Sequence, residues 1–223
     1  MAYQLAAFYF AAFIANGLFL AGSAFVATRF RVQIERVKLG TGPQLFARGK
    51  FTLAPLPFSA FVRMLDTRET SEDVDRELAY DCQSRLVRVA IALSGPLALL
   101  LGAIALRGTT GWKSFLFAFG QILSGAIAPA TRGVELASGY MQAAESGGFV
   151  TALGVVLSKM AAINLLPVPS LGGGMALCEL LQPSARSPAY DKAVMAFQHI
   201  GLVALLLLLL PWMYAVVTAG MAR

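Results

Sequence analysis

Residues 5 to 28 carry no Asp, Glu, Lys or Arg. A helix needs only about 20 apolar residues to cross a hydrocarbon layer roughly 30 Å thick, so this one stretch predicts a membrane span. A cleaved signal peptide would open on basic residues and carry a shorter apolar stretch, whereas MAYQLAAF has no Lys or Arg; the segment is expected to stay in the mature protein. Three more apolar stretches follow at 86–106, 148–166 and 200–220. The first of these contains Pro96, which predicts a kink or a delayed helix start, and the last ends with Trp212 and Tyr214, residue types that favour a membrane–water boundary. A further stretch, 112–129, includes Lys113, Gln121 and several small residues, which suits an interfacial helix. The expected fold class is therefore an α-helical multi-pass membrane protein with about four spans. With only 13% charged and 57% hydrophobic residues, little of the chain is left for a soluble domain.

The 18 Lys and Arg outnumber the 12 acidic residues, but the excess lies mostly between residues 29 and 88, beside apolar spans. Positive-inside topology accounts for it better than nucleic-acid binding. Loop 29–85 is expected in the cytoplasm, as is the smaller basic loop with Arg186 and Lys192, and both termini are expected outside. Cys82 and Cys178 have no CxxC spacing and read as free thiols. Between residues 32 and 64, VQIERVKLG alternates apolar and polar side chains, and Pro43, Pro55 and Pro57 oppose helix. This region predicts a β-hairpin or small sheet held at the membrane boundary or against the helices, since free strand edges cannot face lipid. Residues 66–85 are the one markedly polar stretch, either a solvated helix with acids early and Arg later or a disordered loop.

Asn164 to Gly174, NLLPVPSLGGG, interrupts an apolar helix with Pro167, Pro169 and three glycines. Such a break either lines a site or is a plain turn at the end of a span. The order of segments bears on this choice. An apolar helix, VQIERVKLGTGP, PFSAFVRML, an SGP segment and NLLPVPSLGGG follow one another along nearly the whole chain. That series resembles the bacterial site-2 proteases, of the M50 type of intramembrane zinc metalloprotease, whose members read approximately HExGHFxxAR, VxxERFxxGFGP, PLGGYVKM, AGP and NLLPxPxLDGG. The resemblance implies a location in the bacterial inner membrane. It also implies a site in which two His on one helix face, at i and i+4, and the Asp of LDGG hold zinc while the Glu acts as general base.

This chain departs from that pattern at each of those positions. Counted back from Val32, the first His corresponds to Phe19, the Glu to Leu20 and the second His to Ser23, and the Asp corresponds to Gly172. The single histidine, His199, could rebuild a site only with Cys178 and Glu179, which lack ligand spacing. Hence no zinc, no cofactor and no catalytic residue are expected, and Phe19 and Leu20 read as packing. Lys159, an ionisable residue at membrane depth, either supplies positive charge near the site or snorkels or pairs with a backbone carbonyl. Only about 40 residues separate the 86–106 and 148–166 spans, too few for the PDZ domain many such proteases insert there. Ser59 and Ala60 stand where the family has two glycines, hindering close backbone approach. The expected partner or substrate contacts are Phe58, Ser59, Ala60, Phe61, Asn164, Pro167 and Pro169. The reading is a catalytically inactive scaffold: a structural or accessory subunit that packs against other integral membrane proteins within the lipid bilayer. The small residues Ala6, Ala7, Ala11, Ala12 and Ala15 either meet that partner or pack inside the chain. The alternatives are a pseudoprotease regulator that binds transmembrane substrates or an active protease, and a metalloprotease with substituted ligands.

Overall fold

The computed structural model describes residues 2–68, 75–182 and 188–222. It is mostly helical, with one small sheet, and four of its helices include stretches long and apolar enough to cross a membrane: Ala6–Arg29, Arg85–Arg107, Pro129–Asn164 and Lys192–Met221. The first helix, α1 (Ala2–Arg29), is uninterrupted because it lacks proline and ends where polar residues begin. Arg31 then takes a left-handed conformation (φ 59°), and Val32 N–H closes onto the Ala27 carbonyl, turning the chain back along the helix.

The region expected as a hairpin or small sheet is a four-stranded mixed sheet. Its strands are β1 (Ile34–Thr41), β2 (Phe46–Arg48), β3 (Phe51–Leu53) and β4 (Leu56–Met64), in the order β2-β3-β1-β4. β1 is antiparallel to β4 but parallel to β3, with Val37 opposite Phe51 and opposite Val62. The Gly-Pro step at 42–43 does not close a two-strand turn; the chain instead makes the β2–β3 excursion and inserts β3 on the far side of β1. The turn between β3 and β4 is tied to α1: Tyr9 Oη donates to the Pro55 carbonyl, and Asn16 Nδ2 donates to the Pro57 carbonyl at 2.7 Å. β1 therefore runs back along α1, and the sheet's proline turn lies beside the middle of that helix.

In the polar stretch after β4, residues 69–74 fall outside the described residues, as does Arg186 of the second basic loop. The remainder holds no long helix, only one 3-10 turn at Arg76–Leu78, capped by the Asp75 carboxylate. α2 (Arg85–Arg107) begins at the Ser84 cap and continues through Pro96. α3 (Thr109–Ile127) covers the segment expected to lie at the interface. α4 (Val134–Asn164) starts well before residue 148, and Gly148, with φ 66° and ψ −168°, breaks it there. Apolar content alone marks only its second half, because Glu135 and Glu145 dilute the first. α5 (Gly172–Leu181) and α6 (Pro188–Met221) complete the chain.

The main core gathers Ala15, Leu99, Phe115, Ile122, Leu157 and Ala161, so α1 to α4 pack on one another. Fully buried alanines at 15, 103, 118 and 161 let these helices approach closely. Ala7 joins a smaller cluster with Ala144 and Ala152, and Ala11 is also buried. Three of the five small residues of α1 thus pack inside this chain.

Candidate functional site

Of the four positions expected to correspond to the family's site, Phe19, Ser23 and Gly172 lie where α1 and the start of α5 pack on α2. A Cβ on Gly95 of α2 would stand 2.5 Å from the Phe19 ring and 2.8 Å from Ser23 Oγ. Phe19 and Ser23 of α1 therefore lie directly over Gly95, at a crossing with no room for a larger residue. Gly172, at the start of α5, is pressed against the same helix: a Cβ there would meet the Ala92 carbonyl oxygen at 2.5 Å and Pro96 Cγ at 2.9 Å. Leu20 is buried, with 4% of its surface exposed.

For zinc this donor set does not fit. Phe19, Leu20 and Gly172 offer no ligating side chain, Ser23 offers one hydroxyl, and a borderline metal wants about three N, S or O ligands. Among the described residues no group of three or more His, Cys, Asp and Glu could hold a metal ion. His199 is exposed on α6, with Nδ1 2.8 Å from the Met195 carbonyl. Glu179 is committed to Arg88, and the Cys178 thiol has its pKa raised, first by burial and then by Glu179.

Beside this crossing opens a groove of about 1020 Å³. β4 forms one wall, including Phe58, Ser59, Ala60 and Phe61, and Phe19, Asn164, Pro169 and Gly172 line it too. Pro167 is not in its lining. β4 is the edge strand of the sheet, pairing with β1 on one side only. Ser59 does not intrude: its hydroxyl is 2.8 Å from Thr41 Oγ1 and also donates to the Gly40 carbonyl at 3.3 Å. Asn164 turns its amide back onto the Met160 carbonyl at 2.9 Å. Lys159 lies outside the groove lining, facing α3: Nζ is 3.0 Å from the Ser114 carbonyl and 2.5 Å from Gln121 Oε1, with the Tyr140 ring centroid 5.4 Å away.

Two features had escaped the sequence reading. Asn16, with 6% of its surface exposed, holds the sheet against α1 and lines the groove. Its signal was a lone amide in an uncharged span, since a buried amide needs a partner. The second is a polar clamp between α2 and α5. Arg88 Nε lies 2.9 Å from Glu179 Oε2, while its two terminal nitrogens donate to the Asp81 carbonyl at 3.0 Å and to Gln182 Oε1 at 2.9 Å. Tyr80 Oη donates to Glu179 Oε1 at 3.3 Å, and burial, reinforced by the Glu179 charge, raises the pKa of that phenol. Nearby, Thr67 binds Asp81 through its amide at 2.9 Å and its hydroxyl at 2.6 Å, and Arg68 pairs with Asp66. Arg88 and Gln182 are 94 residues apart, and Tyr80 and Glu179 are 99 apart, so no local spacing announces the contact between α2 and α5.

The Peptidase family M50 profile matches residues 21–208. A protein of Neisseria meningitidis (serogroup A / serotype 4A) named "Putative zinc metalloprotease" is 36% identical over 111 residues, which is 48% of this chain and 25% of that protein. One of the same name from Xylella fastidiosa (strain Temecula1) is 36% identical over 86 residues, 36% of this chain and 19% of its own length. The aligned part is thus a quarter or less of these relatives. The profile, by contrast, runs from within α1, through the sheet and the α2–α5 contact, into α6. The chain belongs to Peptidase family M50, a family of membrane proteins.

Proposed function

We propose that this chain is a catalytically inactive M50 family member that serves as a structural or accessory subunit of a membrane protein complex. The observation that supports this best is the α1–α2–α5 crossing. On this reading Phe19, Ser23 and Gly172 occupy the family's ligand positions, and each is in close contact with α2 as an aromatic ring, a hydroxyl and a glycine. A metal-activated water needs an open coordination position and a base beside it, and neither Phe19 nor Leu20 can provide one. The scaffold around the crossing is fully built, as expected of a protein retained for its shape. On this reading the chain sits in a bacterial inner membrane, with the basic loop before α2 on the cytoplasmic side.

The test is purification in a mild detergent or nanodisc, followed by mass analysis of the intact particle, zinc determination and incubation with a membrane-spanning peptide. A fixed set of co-purifying membrane subunits, with substoichiometric zinc and no cleavage, is the expected outcome. One zinc per chain with zinc-dependent cleavage would overturn the proposal and reinstate a metalloprotease with substituted ligands.

A second reading is favoured by the groove and the unpaired edge of β4. An extended peptide could add to that edge as a fifth strand, making the protein a pseudoprotease regulator that holds transmembrane segments without cutting them. Photo-crosslinkers at Phe58 or Phe61 would capture such a segment, and a lone chain that captures none would exclude this role.

A further inference from the structure

We propose that the open face of the sheet is a binding site for the headgroup of an anionic phospholipid, formed by Arg36, Lys38 and Lys50. Cross-strand pairing places these cations together. Residues facing one another in neighbouring strands share a face, and that face repeats every second residue. Lys38 lies opposite Thr52, and the same register carried two residues back sets Arg36 opposite Lys50, which immediately precedes β3. On the other side of β1, Arg36 lies opposite Arg63. The face thus carries Lys50, Arg36 and Arg63 in a row across three strands, with Lys38 one step further along β1. Like charges set directly across a sheet destabilise it.

The only acid in the pocket's lining is Glu35, and it pairs with Arg63 at 3.1 Å. Among the described residues, Arg36, Lys38 and Lys50 have no salt-bridge partner. They line a pocket of about 370 Å³, together with Gln44 and Thr52, which add neutral polar groups able to bind phosphate oxygens. Excess positive charge in a pocket of this size fits a phosphate group.

The setting selects a lipid as its source. Through Asn16 and Tyr9 the sheet is hydrogen-bonded to the uncharged helix α1, so it belongs at the membrane if α1 does. At about 3.3 Å per residue, Arg36 and Lys38 lie roughly 7 and 13 Å beyond the start of β1, which follows the basic end of α1 at Arg29. With the basic end of α1 taken as the membrane boundary, this puts Arg36 at headgroup depth and Lys38 within snorkelling reach of it. On the opposite face of the sheet, Phe46 and Phe51 are exposed beside Arg48, which pairs with Phe51. The proposal rests on the membrane placement of the chain and on no partner subunit.

The test uses the full chain in nanodiscs of equimolar phosphatidylcholine and phosphatidylglycerol, transferred to mild detergent for native mass spectrometry. Retained phosphatidylglycerol should exceed phosphatidylcholine, and K38Q/K50Q should lower that preference about 25-fold, since each Lys near an anionic surface contributes about fivefold. The charge-matched variant K113Q/K192Q, which leaves the pocket intact, should retain the preference. Equal retention of both lipids by the wild-type chain, or equal loss in the two variants, overturns the proposal. If the delipidated chain binds inorganic phosphate through Lys38 and Lys50 yet shows no lipid preference, the site takes a soluble phosphate and the lipid assignment fails. Because the readout is lipid on the isolated chain, failure to find co-purifying subunits would leave this result untouched.

Discussion

Two contacts between α2 and α5 lie on one face of α2 and solve opposite problems. Arg88, Ala92 and Pro96 are four residues apart, so they stack along one side of the helix. At Arg88 the contact is a buried ion pair surrounded by donors and acceptors. At Ala92 and Pro96, one and two turns further along, the Ala92 carbonyl and the Pro96 ring press on Gly172. The clamp is near the polar loop, where its remaining hydrogen-bonding groups can be met by Asp81 and Gln182. The crossing is flanked by apolar helix on either side, where an unmet polar group would be expensive. The chain thus keeps charge beside the polar loop, where it is ion-paired, and places a glycine where the apolar helices cross.

The sharpest way to break this comparison is to unpair the clamp. Arg88→Met leaves Glu179 buried without its cation and should lower stability by about 3–5 kcal/mol, read as thermal unfolding in detergent. Arg88→Met with Glu179→Leu should recover most of that loss, and a double variant no better than the single one would show that the clamp's hydrogen bonds matter more than its charges. At the crossing, Phe19→Ala removes the ring that covers Gly95 and should cost about 3 kcal/mol in the same assay. A neutral effect would mean that the ring merely borders the groove.

Gly172→Ala asks whether the close approach is a real constraint. With the Ala92 oxygen 2.5 Å from the new Cβ, α5 must move, and the expected cost is about 1–3 kcal/mol. A wild-type melting curve would show that the α2–α5 spacing gives way freely.

The smallest effect concerns Tyr80. Its phenol is held protonated by burial and by Glu179, so the folded pKa lies above the unfolded value of about 10. The folded state then binds the proton more tightly. Its contribution is complete below about pH 10 and is lost as pH rises through the folded pKa. Tyr80→Phe should flatten that alkaline fall in stability while costing about 1 kcal/mol near neutrality. An unchanged alkaline slope would assign the titration to another group.

Much of this molecule was legible without coordinates. The uncharged stretches locate helices, because an apolar run of that length has few other solutions, and the motifs around Val32 and Asn164 point to the family that the profile match shows. That Phe19, Leu20, Ser23 and Gly172 offer at most one hydroxyl is equally plain, since a residue type is a chemical fact about any fold. Less legible were the elements set by distant partners. A hairpin or small sheet was read over residues 32–64, but not its mixed strand order, because the insertion of β3 beside β1 depends on pairing rather than on local pattern. Helix α4 was read from its apolar half, although its hydrogen bonding extends back to Val134 past the break at Gly148.

The amino-acid sequence by itself determined which segments avoid water, where charge accumulates and which side chains are available to hold a metal. Tertiary structure alone decided that Phe19 and Ser23 cover Gly95, that Arg88 meets Glu179, and that Arg36, Lys38 and Lys50 share one face. Hydrophobicity and chemical identity are properties of single residues and short runs, whereas contact between residues far apart in the chain follows from how helices and strands pack, which no local window of sequence contains.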